Sequence, residues 1–211
     1  MTDLPASHNL PDLAPAARDW LDTTSARIAA DPTAVRTAFP AAARRGGRAA
    51  ADRVRAALLL ALPLRGPALA AEVTTLYRHG DAAEQRAVLH ALPLLDAADP
   101  DFADRALPLT LEALRSNDTT LVEAALGPYG ARHLDAASFR QAVLKCVFCE
   151  IPLDRISGLA DRTDPELTRM LTDFARERTA AGRPVPADIT GLVAETDETT
   201  QRSTRISEGA A

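Results

Sequence analysis

The chain has 211 residues, with 24 basic and 29 acidic side chains and a net charge of -5. That balance excludes the basic footprint of a nucleic-acid binder, and aromatic residues at 4% leave few platforms for stacking single strands. Apolar residues at 46% suffice for the core of one sizeable domain, built mainly from Ala, Leu and Val, of which Ala and Leu are strong helix formers.

The first segment, MTDLPASHNLPDLAPAARDW, carries acids where a secretory signal has a basic stretch, and it lacks an apolar h-region; a cytoplasmic location is expected. The longest apolar runs, AALLLALPL at 56–64 and QAVLKCVFCEIPL at 141–153, fall short of the roughly 20 residues of a membrane span. No segment keeps period-2 alternation, and helix follows helix. The predicted class is all-α, either HEAT-like antiparallel helical hairpins or a compact helical bundle. A helix around residues 11–30 and a weaker one precede ARRGGR at 43–48, which reads as a hinge. Residues 1–48 are therefore expected to be N-terminal helices and a hinge, and residues 49–190 a helical core domain.

Within that core, Gly80 ends the helix carrying TTLYRH, Asp81 caps the next, and Glu84 completes a capping box. ALPL recurs at 61–64, 91–94 and 106–109, each time at an expected helix end where proline stops or kinks the chain. Asn117 and Asp118 separate LTLEALRS from TTLVEAALG, Gly127 and Pro128 stop the second of these, and Asp135 caps AASFRQAVLKCVFC. Thr163, Asp164, Pro165 and Glu166 open a long helix whose apolar positions Leu167, Met170, Leu171 and Phe174 follow helical spacing; Gly182 and Pro184 close it. From about Glu195 the chain loses apolar periodicity, so residues 191–211 are expected to be a disordered tail.

Both cysteines, Cys146 and Cys149, and the only lysine, Lys145, fall in one helix. Phe139, Ala142, Val143, Cys146 and Val147 make its apolar face, which Leu144 and Phe148 extend sideways, so the helix is expected to be buried over most of its circumference. Gln141, Lys145 and Cys149 share the remaining stripe. There Lys145 could favour a reactive thiolate, or it could pair with a carboxylate while Cys149 fills space. The histidines His8, His79, His90 and His133 make no pair with zinc-ligand spacing. Polar residues in otherwise apolar segments stand out instead: Tyr77, Arg78 and His79; Glu112 with Arg115, whose spacing predicts an ion pair; Asn117; Glu123 inside LVEAAL; Tyr129; and Asp173, Arg176 and Glu177.

Taken in order, LYRHGDAAEQRAVLHALPLL (76–95), EALRSNDTTLVEAALGPY (112–129), QAVLKCVFCEIPLDRISGLADR (141–162) and ELTRMLTDFARERTAAGRPVP (166–186) resemble the EboA family. Its members carry a pattern like L-K-A-L-F-x-G-x-P-L, matched by Lys145 and Phe148, with Cys146 and Cys149 at places usually filled by small or apolar residues. E-A-x-R-x-N is matched by Glu112, Arg115 and Asn117, a further acid by Glu123, P-Y by Pro128 and Tyr129, and D-[YF]-A-x-E-R by Asp173, Phe174, Ala175, Glu177 and Arg178. Gly127 stands where many members have asparagine.

The resemblance implies an accessory protein of an ebo-type pathway that makes or exports a small metabolite, acting as a helical scaffold or small-molecule-binding protein. Its ligand-binding candidates are His79, Glu112, Arg115, Asn117, Glu123, Tyr129, Lys145, Asp173 and Glu177. The expected partners are other ebo-pathway proteins or an anionic small molecule, to which Arg115 and Lys145 offer charge; neither cofactor nor metal is expected. The alternative is an enzyme of the same pathway that uses Lys145 or Glu123 as acid, base or nucleophile on a sugar- or cyclitol-derived substrate.

Overall fold

Aspartate side chains cap the starts of four of the described α-helices. The structure, a computed structural model, describes residue 10 and residues 13–191, and all regular structure among them is helical. The expected tail from 191 onward lies almost entirely outside the described residues. The chain divides into two compact units, one ending at His133 and one beginning at Leu134.

The first unit holds α1 (Pro15–Ala30), α2 (Val35–Gly46), α3 (Ala51–Leu60), α4 (Gly66–His79), α5 (Ala82–Ala98), α6 (Ala103–Ala113), α7 (Thr119–Ala125) and α8 (Pro128–His133). Asp81 accepts the Glu84 N–H at 2.8 Å while the Glu84 side chain accepts the Asp81 N–H, the expected capping box. Asp118 accepts the Thr120 N–H in the same way at the start of α7. Leu21, Ile28, Phe39, Leu58, Leu59, Leu92, Leu95, Phe102 and Leu109 are essentially sealed from water, each contributing about 1.5–3 kcal/mol through burial. Trp20 on α1 packs half-buried against this core.

Two expectations for this unit are corrected. ARRGGR, expected as a hinge or loop, is helical over its first four residues: α2 runs through Gly46, and only Gly47, at φ 83, breaks it before a 3-10 turn over Arg48–Ala50. Of the three ALPL prolines only Pro63 follows a helix end, whereas Pro93 and Pro108 lie inside α5 and α6. A helix-interior proline costs roughly 3 kcal/mol. Pro93 is flanked by Leu89, Leu92 and Leu95, all at least 98% buried, and their combined burial exceeds that cost.

Arg55 is the most deeply buried of the charged side chains described in this unit. Arg55 is 3% exposed. Its guanidinium donates to the carbonyls of Phe39 and Ala83, lies 5.5 Å from the Phe39 ring centre, and faces Glu84 at 3.6 Å and Asp52 at 3.8 Å. Such an array of acceptors is what a buried cation requires.

The second unit holds α9 (Ala136–Phe148), α10 (Leu159–Arg162) and α11 (Pro165–Ala180). Asp135 caps α9 through the Ser138 N–H, and Asp164 caps α11 through the Leu167 N–H, both at 2.8 Å. Asp164 also receives Arg140 of α9 through Nε and Nη2, at 3.0 and 2.7 Å to one oxygen. Phe139 lies beneath the Arg162 guanidinium at 4.1 Å. Leu167 and Leu171 of α11 are wholly buried and Phe174 nearly so.

α9 and α11 end in the same motif. After α11 the Arg183 N–H reaches the Arg178 carbonyl and the Gly182 N–H the Thr179 carbonyl, with Gly182 left-handed at φ 68. After α9 the Ile151 N–H reaches the Cys146 carbonyl and the Glu150 N–H the Val147 carbonyl. These are Schellman turns. In the second, the left-handed position is held by Glu150 at φ 57, the one non-glycine residue with positive φ among those described.

Candidate functional site

The sequence candidates divide between the units. On α4, exposed His79 donates from Nδ1 to the Thr75 carbonyl at 2.9 Å. Glu112 on α6 does not pair with Arg115 as its spacing predicts; it accepts instead from Arg78 at 3.3 Å, and both partners are exposed. Arg115 and Asn117 are exposed in the turn after α6, and Glu123 on α7 is half-buried. Tyr77, at the end of α4, is 2% exposed; burial first and Glu112 second push its phenol up to about 12. None of these candidates lines the polar cleft of this unit, which is bounded by Pro67, Pro100, Asp101, Asp104 and Arg105.

Tyr129 belongs to a tighter group. Its ring is buried on α8, and its hydroxyl donates to the Ala103 carbonyl. Burial, then the negative charges of Asp96 and Asp104, holds its phenol well above the ordinary range. His133, one turn on, tilts against that ring at 4.5 Å and reaches Asp96 through Nε2 at 2.8 Å, while Arg132 donates to the same carboxylate oxygen at 2.9 Å. Asp96 is buried in the last turn of α5, where a carboxylate opposes the helix dipole; the Arg132 cation and the hydrogen bond from the His133 ring compensate. Sequence reasoning noted His133 only as a failed metal ligand and did not single out Asp96. This group is a tether between α5 and α8.

In the second unit Asp173 and Glu177 do come together around one feature. With Arg169 they rim a recess of about 230 Å³ whose apolar lining is Leu144, Phe148, Met170 and Phe174. Phe148 was expected to be buried; it is 64% exposed and meets Phe174 edge-on at 4.9 Å. Arg169 is engaged by Glu166 through two bonds and by Asp173 through one. Glu177, one turn further along α11, is exposed and makes no ion pair among the described residues. Lys145 is half-buried on α9, its carbonyl accepting the Cys149 N–H. Cys146 is sealed in the core and Cys149 half-buried, both as free thiols.

A second cleft, of about 330 Å³, opens where the chain leaves α9 and α11. Arg178 and Asp188 line it together with Glu150. Arg178 is the last residue of the D-[YF]-A-x-E-R match, a signal that could have flagged it; nothing in the sequence brings Glu150 and Asp188 to it.

Among the described residues no cluster of histidine, cysteine and carboxylate side chains could hold a metal ion, and no helix is long and apolar enough to cross a membrane. The family model described as "Metabolite traffic protein EboA" matches residues 47–194, well over half the chain. No curated protein and no solved structure gives a significant match.

Proposed function

The chain belongs to the EboA family, and from that premise we propose that it is a non-catalytic helical binding protein of a metabolite-traffic pathway of the ebo type, holding another pathway protein on its α9–α11 face. The observation that carries this reading is Phe148. A phenylalanine 64% exposed beside Leu144, Met170 and Phe174 is an apolar centre, and Arg169, Asp173 and Glu177 supply its polar rim. That is the anatomy of an interface hot spot. A recess of about 230 Å³ suits one large side chain of a partner, whose burial against Phe148 contributes about 1.5–3 kcal/mol. The uncommitted carboxylate of Glu177 favours a partner with a basic residue beside that anchor.

A native mass spectrum of the protein purified from its own cells tests this. The expected result is a complex with a second pathway protein that is lost with Phe148→Asp and weakened with Glu177→Lys, while helicity is unchanged. A complex that survives Phe148→Asp, or a bare chain in every preparation, would refute the reading.

A further inference from the structure

We infer that the cleft at the C-terminal ends of α9 and α11 binds a small zwitterionic metabolite, an α-amino acid with an apolar side chain or a close chemical relative. This goes beyond the partner surface, since Phe148 does not line the cleft. The walls are aliphatic: Val147, Ile151, Pro152, Pro184, Val185 and Pro186. Three of the six are prolines, which have almost no side-chain freedom to lose when a ligand seats on them. A volume of about 330 Å³ lies at the small end of ligand pockets.

The polar groups decide the ligand class. Arg178 is already positioned: its Nε donates to the Pro184 carbonyl, and its guanidinium rests 5.6 Å from the Phe174 ring centre. Its two terminal nitrogens make no hydrogen bond among the described residues, so a fixed cation presents open donors of the kind that grip a carboxylate. Asp188 has both oxygens occupied by backbone, accepting from the Leu153 and Ile189 N–H groups. Glu150 is different. The left-handed turn aims it from a conformation that a glutamate adopts only against a steric cost, and its carboxylate is exposed without a partner among the described residues.

A ligand bearing only a carboxylate would satisfy Arg178 but stand beside the negative charges of Glu150 and Asp188. A ligand bearing only an ammonium would satisfy Glu150 and meet the Arg178 cation. A molecule with both charges on one carbon and an apolar branch satisfies both signs and the aliphatic wall.

The test uses the full-length chain and two families of probes of equal skeleton, followed by NMR chemical-shift titration. The first family is L-leucine, 4-methylpentanoate and 3-methylbutylamine; the second is L-phenylalanine, 3-phenylpropionate and phenethylamine. At least one amino acid is expected to bind and to shift the Ile151 and Val185 resonances, with its single-charge analogues at least about tenfold weaker, a difference near 1.4 kcal/mol. Arg178→Gln and Glu150→Gln should each lower amino-acid affinity by a similar factor, and the second, at an exposed side chain, leaves the fold intact. Absence of binding by both amino acids up to about 10 mM, or single-charge analogues that bind as well as the zwitterions, would overturn the inference. The partner complex is read separately by mass spectrometry, so either conclusion can fail alone.

Discussion

Replacing Glu150 by glycine should stabilise the protein. Glu150 holds φ 57 at the left-handed position of the turn after α9, while Gly182 holds φ 68 at the equivalent position after α11. A residue with a Cβ loses roughly 1–2 kcal/mol in that conformation, and glycine gives back about 0.5–1 kcal/mol through its greater freedom in the unfolded chain. The difference between the midpoints of these ranges favours Glu150→Gly by about 0.75 kcal/mol. For a unit the size of the one beginning at Leu134, that corresponds to a rise in Tm of about 3–6 °C. Far-UV circular dichroism melts of Glu150→Gly, Glu150→Ala and the parent chain measure it. Glu150→Ala removes the carboxylate but keeps the Cβ, so it separates the backbone effect from any effect of charge. A Glu150→Gly protein no more stable than Glu150→Ala would refute the steric argument. The same replacement takes the carboxylate out of the cleft, so amino-acid affinity should fall as stability rises.

Alkali should unfold the chain through its tyrosines. Tyr77 is pushed up to about 12 by burial and then by Glu112, and Tyr129 is raised by burial and then by Asp96 and Asp104. Because the folded values lie above the unfolded one, stability is unchanged below about pH 10 and falls as pH rises toward 12, by on the order of 2–3 kcal/mol at most for Tyr77. Absorbance at 295 nm should show both phenols ionising together with loss of helix; smooth ionisation near pH 10 in a folded chain would contradict this. Asp96→Ala frees His133 and Arg132 from α5 and should cost about 2 kcal/mol in urea denaturation, with Asp96→Asn losing about half as much. Cys146→Ala with Cys149→Ala should leave partner and ligand binding intact and cost about 1 kcal/mol from the small void at Cys146; loss of binding with the fold retained would revive a reactive role for the thiols.

Helix starts were legible because they are local. Asp81 with Glu84, Asp118, Asp135 and Asp164 each satisfy N–H groups two or three residues away, a relation that spacing alone reveals. The interior prolines were not legible, because what retains Pro93 inside α5 is the burial of Leu89, Leu92 and Leu95 against distant helices. Phe148 was misjudged for a related reason: periodicity identifies an apolar face but not what covers it, and nothing among the described residues covers this one. Of the polar candidates, Asp173 and Glu177 gather at a recess because they lie one turn apart on α11. Glu150, Arg178 and Asp188 share a cleft only because two Schellman turns bring three distant segments together.

The aromatic residues are partitioned by unit as well as sparse. Trp20, Tyr77 and Tyr129 all precede His133, and the unit beginning at Leu134 contains no tryptophan or tyrosine. Phe139, Phe148 and Phe174 are its whole aromatic complement. Excitation at 295 nm therefore lights the first unit alone through Trp20. A fluorescence melt overlaid on a far-UV melt separates the two units without labels or mutations, and any helix signal lost outside the Trp20 transition belongs to the unit that carries Phe148 and the Arg178 cleft.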